Sequence, residues 1–462
     1  MKKKENEVLD QFKSIQQQFL EFQQQYFSKA MKVNETDSNL IGSKPASNRH
    51  SIGNKSGIYL GDNIEILKTI PSNSIDGILT DGPYGYKFLG YGWDESIPSV
   101  EFWREVYRVL KPGAMVASFG SPKTYHRMLT NVEDAGFEVK GQINWVYASG
   151  MPKSKNLSLL IDKQLGKPNR GHRIATASRN HPDGTFEPNG EKLPPYIAIT
   201  DEAKQWEGYG TPGLKPAYEP IAIAQKPISE KNIAANVLKW GTGGMNINSC
   251  RVGERFPADI ILECICNEML MEKVKRGKRS SAIVRHTDPD CPCYQLDEQS
   301  GLTHQGHWPK TKISGYGSFG NGQSTYLGPG HKCNVNAGAS SYFKIIYNPK
   351  ANKKDKEEGL YAEHLPLKEY NGNDGKKTKS KLNIHPTVKP TKLMQELIRL
   401  LIPVGGTLID PFFGSGSTGK ACLREKKYHF IGIEKSEEYL DIAVKRCQYE
   451  YDKGFVEFIN AA

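Results

Sequence analysis

Short apolar runs alternate with runs of helical period in two separate stretches of this chain, and no other feature restricts the fold as much. From Gly57, Ile58-Tyr59-Leu60 reads as a buried strand, Ile64 to Ile70 as a helix, and Gly77-Ile78-Leu79-Thr80 as a second strand ending at Asp81. A helix through Phe102, Val106 and Leu110 follows, stopped by Lys111-Pro112-Gly113, then a strand from Met115 to Phe119. The pattern resumes near the other end: a helix from Lys392 to Leu401, a strand at Thr407 to Ile409, a helix after Ser417, a strand at Phe430 to Ile433 and a final helix. Such alternation predicts an α/β protein, a doubly wound and mostly parallel sheet with helices on both faces. The middle, from about Gly150 to Tyr342, is irregular and rich in Gly, Pro and Asn. It predicts a large insertion in which only Pro220 to Ala224 reads as another core strand.

The chain is long enough, at 462 residues, for two or three structural units. No run approaches the roughly 18 apolar residues of a membrane span, and Met1 to Lys4 lead into polar residues, so a cytoplasmic location is expected. Lys and Arg exceed Asp and Glu by 62 to 51, a balance that favours a polyanionic partner without identifying one. Eight cysteines are too few for a secreted disulfide scaffold, so reduced thiols are expected. Val8, Phe12, Ile15, Phe19, Phe22 and Tyr26 form one stripe on an N-terminal helix. It suits either packing on its own domain or a homodimer contact.

Two strings carry chemistry. Asp410-Pro411-Phe412-Phe413-Gly414-Ser415-Gly416 follows a strand, and Gly414, Gly416 and Gly419 satisfy G-x-G-x-x-G, with Glu434 about 20 residues on. Taken alone it can hold a dinucleotide, as in an oxidoreductase. Yet Asp410 would set a carboxylate against a pyrophosphate, whereas it suits a ligand with an ammonium or sulfonium cation. S-adenosylmethionine carries both. The glycines admit a ligand close to the backbone, and Glu434 is placed to accept from two ribose hydroxyls.

The other string is Asp81-Gly82-Pro83-Tyr84 at the carboxyl end of a strand, where open α/β sheets bind ligands. An exocyclic base amine is a poor nucleophile because its lone pair is delocalised into the ring. Asp81 and the Gly82 carbonyl can accept its two N–H bonds and stabilise the positive charge that develops on methyl attack. Tyr84 offers a stacking face for an extruded base. In isolation the tetrapeptide is an ordinary turn.

Together these strings resemble the β-class DNA amino-methyltransferases, in which the amine motif precedes the target-recognition region and the cofactor motif comes last. The resemblance runs from about Ser56 to Tyr451 and implies a circularly permuted, Rossmann-like methyltransferase using S-adenosylmethionine on double-stranded DNA. His385-Pro386-Thr387-Val388-Lys389-Pro390 is similar to the family's cofactor-flanking motif, which implies Thr387 and Lys389 at the methionine carboxylate. The family also implies Asp62 at the adenine; a helix N-cap explains that residue equally. The cofactor set is thus Asp62, Thr387, Lys389, Asp410, Pro411, Phe412, Gly414, Ser415, Gly416 and Glu434, and the catalytic set Asp81, Gly82, Pro83 and Tyr84. A leading Asp81 rather than Ser resembles the adenine-N6 branch over cytosine-N4. Family members usually have Pro at position 82, and Gly there is expected to loosen the aim of its carbonyl.

The expected division is an N-terminal helix over 1–32, a linker over 33–55, the first core part over 56–150, and an insertion over 151–345 with one core strand near 219–226. A basic linker over 346–384, the second core part over 385–452 and a tail over 453–462 complete it. In the insertion, Lys273, Lys275, Arg276, Lys278 and Arg279 can meet phosphates, and Trp240 and Trp308 can wedge or stack. A solvated loop explains the charges as well. Cys264-Ile265-Cys266 and Cys291-Pro292-Cys293, with His286 nearby, can form a zinc site through the four cysteines, or stay scattered thiols. RNA, protein amides and a non-catalytic DNA-binding role remain the other readings of the chain.

Overall fold

A computed structural model describes most residues from 48 to 461; the longest stretches outside it are 1–47, 168–195, 305–335 and 361–369. The N-terminal helix, Lys278, Trp308 and Cys333 therefore lie outside the described residues.

The centre is a ten-stranded sheet. In chain order its strands are β1 (Arg49–Ile52), β2 (Ser56–Leu60), β3 (Ile75–Thr80), β4 (Leu110–Phe119), β5 (Glu138–Val146) and β6 (Tyr218–Gln225). Beyond a separate hairpin of β8 (Met269–Arg276) and β9 (Arg279–His286), the remaining sheet strands are β7 (Ile260–Cys264), β10 (Lys344–Tyr347), β11 (Thr407–Asp410) and β12 (His429–Glu434). They lie side by side as β1-β2-β12-β11-β3-β4-β6-β5-β7-β10. All neighbours run parallel except at the edge strand β1 and at β6, which opposes both β4 and β5.

Alternation along each strand assigns its side chains to two cores. Ile58, Leu79, Met115, Leu408 and Phe430 join one buried cluster, and their chain neighbours Tyr59, Ile78, Val116, Ile409 and Ile431 join another. That division is what a sheet covered on both faces demands. On the first face lie α8 (Thr391–Leu401), through Leu393, Leu397 and Ile398, and α9 (Ser417–Glu425), through Ala421 and Cys422. On the second lie α1 (Asn63–Thr69), through Leu67, and α2 (Val100–Val109), through Phe102, Trp103 and Val106. Asp62 caps α1 by accepting from Ile64 N at 3.0 Å, and Ser99 caps α2 by accepting from Phe102 N at 3.2 Å.

The insertion gives the sheet more than the one strand expected. Besides β6 it supplies β7, five residues long, and the start of β10, whose four residues cross the expected boundary at 345. Apolar runs so short carry no period that separates them from loop or helix, and only their pairing with β5 and with each other makes them strands.

Candidate active site

The sheet reverses its direction of growth between β11 and β3. From β11 the chain passes through α9 to β12 on one side, and from β3 through α2 to β4 on the other. Divergent connections open a crevice at the carboxyl ends of such strands. Asp410 ends β11, Asp81 follows β3, and Thr80 joins them: its Oγ1 donates to Asp410 Oδ1 at 2.8 Å. The two strings that are far apart in sequence therefore share one crevice.

On the β3 side, Lys389 Nζ sits 2.5 Å from Asp81 Oδ2 and 3.3 Å from Glu219 Oε2. The Tyr84 hydroxyl donates to Asp81 Oδ1 at 2.8 Å and lies 3.2 Å from Glu219 Oε2. Burial pushes the Asp81 pKa up and Lys389 opposes this, while the Glu219 carboxylate adds to the rise. Burial alone would lower Lys389, but Asp81 and Glu219 outweigh it and hold the ammonium charged. Tyr84 is pushed well above its usual range by burial and by the same two carboxylates, so it remains a phenol that donates. One cation between two carboxylates leaves the cluster with a net negative charge, suited to a neighbour that becomes positive.

The loop carrying Tyr84 is fixed by a residue that the sequence does not mark. Buried Asp94 accepts from Tyr84 N at 2.5 Å, Gly85 N at 3.1 Å and Tyr86 N at 3.1 Å. Thr124 Oγ1 donates to the Tyr84 carbonyl at 2.8 Å. At Gly82 a Cβ would meet the Phe412 ring and Pro98 Cγ at 3.2 Å, closer than ordinary side-chain contacts. Glycine thus lets the amine string pack against the cofactor string, a reason for Gly82 that looseness of its carbonyl does not supply.

On the β11 side, Asp410 is engaged by its own surroundings. It is 2% exposed and accepts from Thr80, from Thr418 Oγ1 at 2.6 Å and from Phe412 N at 3.2 Å. Burial still pushes its pKa up to about 6 against those hydrogen bonds. Gly414 and Gly416 take φ of +53° and +78°, and a Cβ on Gly414 would stand 2.7 Å from His385 Nε2. Burial, with Lys389 and Arg446 nearby, lowers His385 to about 4, so its ring is neutral. Glu434 Oε2 accepts from Gly414 N at 2.7 Å and Oε1 from Ser436 N at 2.8 Å, tying the end of β12 to the loop. Arg446, fully buried, donates to the Ser415 carbonyl and, at 3.0 Å, to Ser415 Oγ.

The residues present fit a cationic nucleoside cofactor. Among the described residues no cation lies against the buried acid Asp410 and the buried Ser417 Oγ has no hydrogen-bond partner, while the two left-handed glycines make a concave backbone at the start of α9. Glu434 keeps lone pairs beyond its backbone bonds. Pro411 is buried beneath this loop, and the exposed Asp62 stands at the adjoining end of β2, occupied with its cap.

The two expected strings meet through the Thr80–Asp410 bond beside Asp81 and through the Phe412 ring against Gly82, and Glu434 ends the strand adjoining Asp410's. The resemblance puts Lys389 at the methionine carboxylate; its ammonium contacts Asp81 and Glu219. Thr387 is half-buried, and its N–H donates to His385 Nδ1 at 3.4 Å. Trp240 does not approach the crevice as a wedge would. It ends α5 (Ile233–Trp240), whose following Thr242 bonds the Pro112 carbonyl at 2.6 Å, at the amino end of β4 and the opposite edge of the sheet. Glu219, Asp94 and Thr80 are functional candidates that sequence reading misses. Thr80 alone leaves a trace, as the polar last residue of an apolar strand.

The sequence profile of a family described as DNA methylase, the N6/N4 methyltransferases, matches residues 75–445. Type II methyltransferase M.HindIII of Haemophilus influenzae is 23% identical over 440 residues, covering 86% of this chain and 97% of that protein. Type II methyltransferase M2.DpnII of Streptococcus pneumoniae is 36% identical over 110 residues, 22% of this chain and 41% of that protein. Among solved structures, the cytosine-N4-specific PvuII DNA methyltransferase aligns over 88% of this chain and 94% of its own at 13% identity, with a TM-score of 0.39. With the profile matched from β3 into the last helix, Glu437–Ala461, the chain belongs to the N6/N4 DNA methylase family, whose methyl donor is S-adenosylmethionine.

Proposed function

We propose that the protein methylates the N6 amine of an adenine flipped out of double-stranded DNA. The observation that carries this reading is the Asp81 carboxylate, held by Lys389 and Tyr84 at the end of β3 and one residue from the Thr80–Asp410 link. S-adenosylmethionine supplies an electrophilic methyl group on a sulfonium centre. The protein's part is to aim a weak nucleophile at it. Asp81 accepts one amine N–H and the Gly82 carbonyl the other, which draws nitrogen toward tetrahedral geometry as its lone pair attacks. The net negative charge of Asp81, Lys389 and Glu219 favours the ammonium that forms. Asp81, its proton affinity raised by burial, is the nearest acceptor for the proton then released. Transfer is direct, with no covalent enzyme intermediate. Asp at position 81, where Ser marks the cytosine branch, supports adenine over cytosine. Gly414, Ser415, Gly416 and Glu434 would hold the cofactor, with Thr387 and Asp62 at its two ends.

The test is to express wild type and Asp81→Ala in a host without its own DNA methylation and to map modified bases by single-molecule sequencing. N6-methyladenine in one sequence context, absent in the variant, is expected. N4-methylcytosine would overturn the adenine assignment while keeping the enzyme class.

A further inference from the structure

A second constellation lies beyond β5, where the insertion has little core of its own. Leu262, Cys264, Cys291 and Cys293 are the fully buried members of a small separate cluster. Three chain segments meet there: Cys264 ends β7, with Cys266 two residues on; His286 ends β9; and Cys291 precedes α6 (Pro292–Ser300). The ligand atoms of Cys264, Cys266, His286 and Cys291 all lie within 4.8 Å of one another. From His286 Nδ1 the three sulfurs stand at 3.2, 3.8 and 3.9 Å. A tetrahedral zinc ion with Zn–S near ~2.3 Å and Zn–N near ~2.1 Å has N···S edges of about 3.6 Å, within that range.

Two further contacts select the ligands. Cys266 Sγ accepts from Thr287 N at 3.3 Å and Asp288 N at 3.5 Å, donors that stabilise a thiolate and orient it. Cys293 Sγ instead donates to the Glu263 carbonyl at 3.7 Å, as a neutral thiol does, and is not among the four residues whose ligand atoms all lie within 4.8 Å of one another. We propose that Cys264, Cys266, His286 and Cys291 bind one structural zinc ion, with His286 in the place that sequence spacing gives to Cys293. Four protein ligands leave no open position, so the ion is a staple and not a hydrolytic centre.

Its position gives the staple a purpose. β7 runs parallel to β5, and β5 opposes β6, so the end of β7 lies at the same edge of the sheet as Glu219 and Asp81. The zinc ion closes the foot of the β8–β9 hairpin, which carries Lys273, Lys275, Arg276 and Arg279, and pins it on the edge where DNA is acted on. This consequence for DNA rests on the proposed function; the metal site does not.

The full chain, purified without chelator or a metal-affinity step, is to be assayed for zinc by plasma mass spectrometry. Cobalt added to metal-free wild type under reducing conditions gives a second reading. One zinc per chain is expected, with the thiolate-to-metal charge transfer and intense visible bands of tetrahedral cobalt. Cys291→Ser and His286→Ala should lose the metal while still binding S-adenosylmethionine, and Cys293→Ser should keep it. Wild type that neither carries zinc nor takes up cobalt would overturn the site. Loss of metal in Cys293→Ser with retention in His286→Ala would overturn the ligand set.

Discussion

Asp410→Asn separates what the cofactor loop needs for folding from what it needs for binding. Asp410 is 2% exposed, and its pKa stands at about 6 against an ordinary 3.8. At ~1.4 kcal/mol per pH unit, holding this carboxylate ionised at neutral pH costs the ligand-free protein up to about 3 kcal/mol. A carboxyl with a raised folded pKa binds its proton more tightly folded than unfolded. Its stability contribution is therefore fully present below the unfolded value of 3.8 and is lost as pH rises through about 6. Asparagine removes that cost and conserves the hydrogen bonds: Oδ1 accepts from Thr80 and Phe412 N, and Nδ2 donates to the Thr418 hydroxyl, which turns to accept. In thermal melts of ligand-free protein at pH 7.5 the variant should melt about 2–6 °C above wild type, with the gap closing toward pH 4.5. Titration with S-adenosylmethionine should show the reverse, a loss of at least about tenfold, because the buried anion that favours a cationic ligand is gone. A variant that melts below wild type by the same margin at both pH values would refute the argument, since the charge would then be stabilising the fold itself.

The same electrostatics predicts a pH profile for single-turnover methylation. The rate should fall as pH drops through the raised Asp81 pKa; Glu219→Gln should move that limb to lower pH and Lys389→Met to higher pH. Limbs that stay fixed in both variants would remove Asp81 from the rate. Gly414→Ala forces an L side chain to φ +53° and against His385, so S-adenosylmethionine binding should weaken by about ten- to a hundredfold and the melting temperature should fall by a few degrees. Gly82→Pro should slow transfer, because the ring crowds Phe412, which already packs on buried Phe102 at 5.1 Å; a faster variant would show that loosened carbonyl aim, and not crowding, governs position 82. Neutralising Lys273, Lys275, Arg276 and Arg279 should flatten the salt dependence of DNA binding, and an unchanged slope would take the hairpin out of the interface.

Much of this protein is legible without coordinates, because strand and helix periods, turn residues and caps are properties of neighbouring residues. The alternation predicts a doubly wound sheet, and the positions of Asp81 and Asp410 at strand ends predict that both face the carboxyl edge. Asp62 as a helix cap is equally local. What the chain cannot announce is which distant groups become partners. Lys389 meets Asp81 across 308 positions, and Glu219 meets Tyr84 across 135. Neither spacing has a signature, since strand order alone puts β6 beside β4 and brings α8's leading segment over β3. The short strands β7 and β10 are made by their neighbours, and the proposed zinc set takes His286 because β9 ends beside Cys264 and Cys266. Local chemistry belongs to the sequence; the charge balance of the site and its ligand sets belong to the tertiary fold, because both depend on distances that only packing determines.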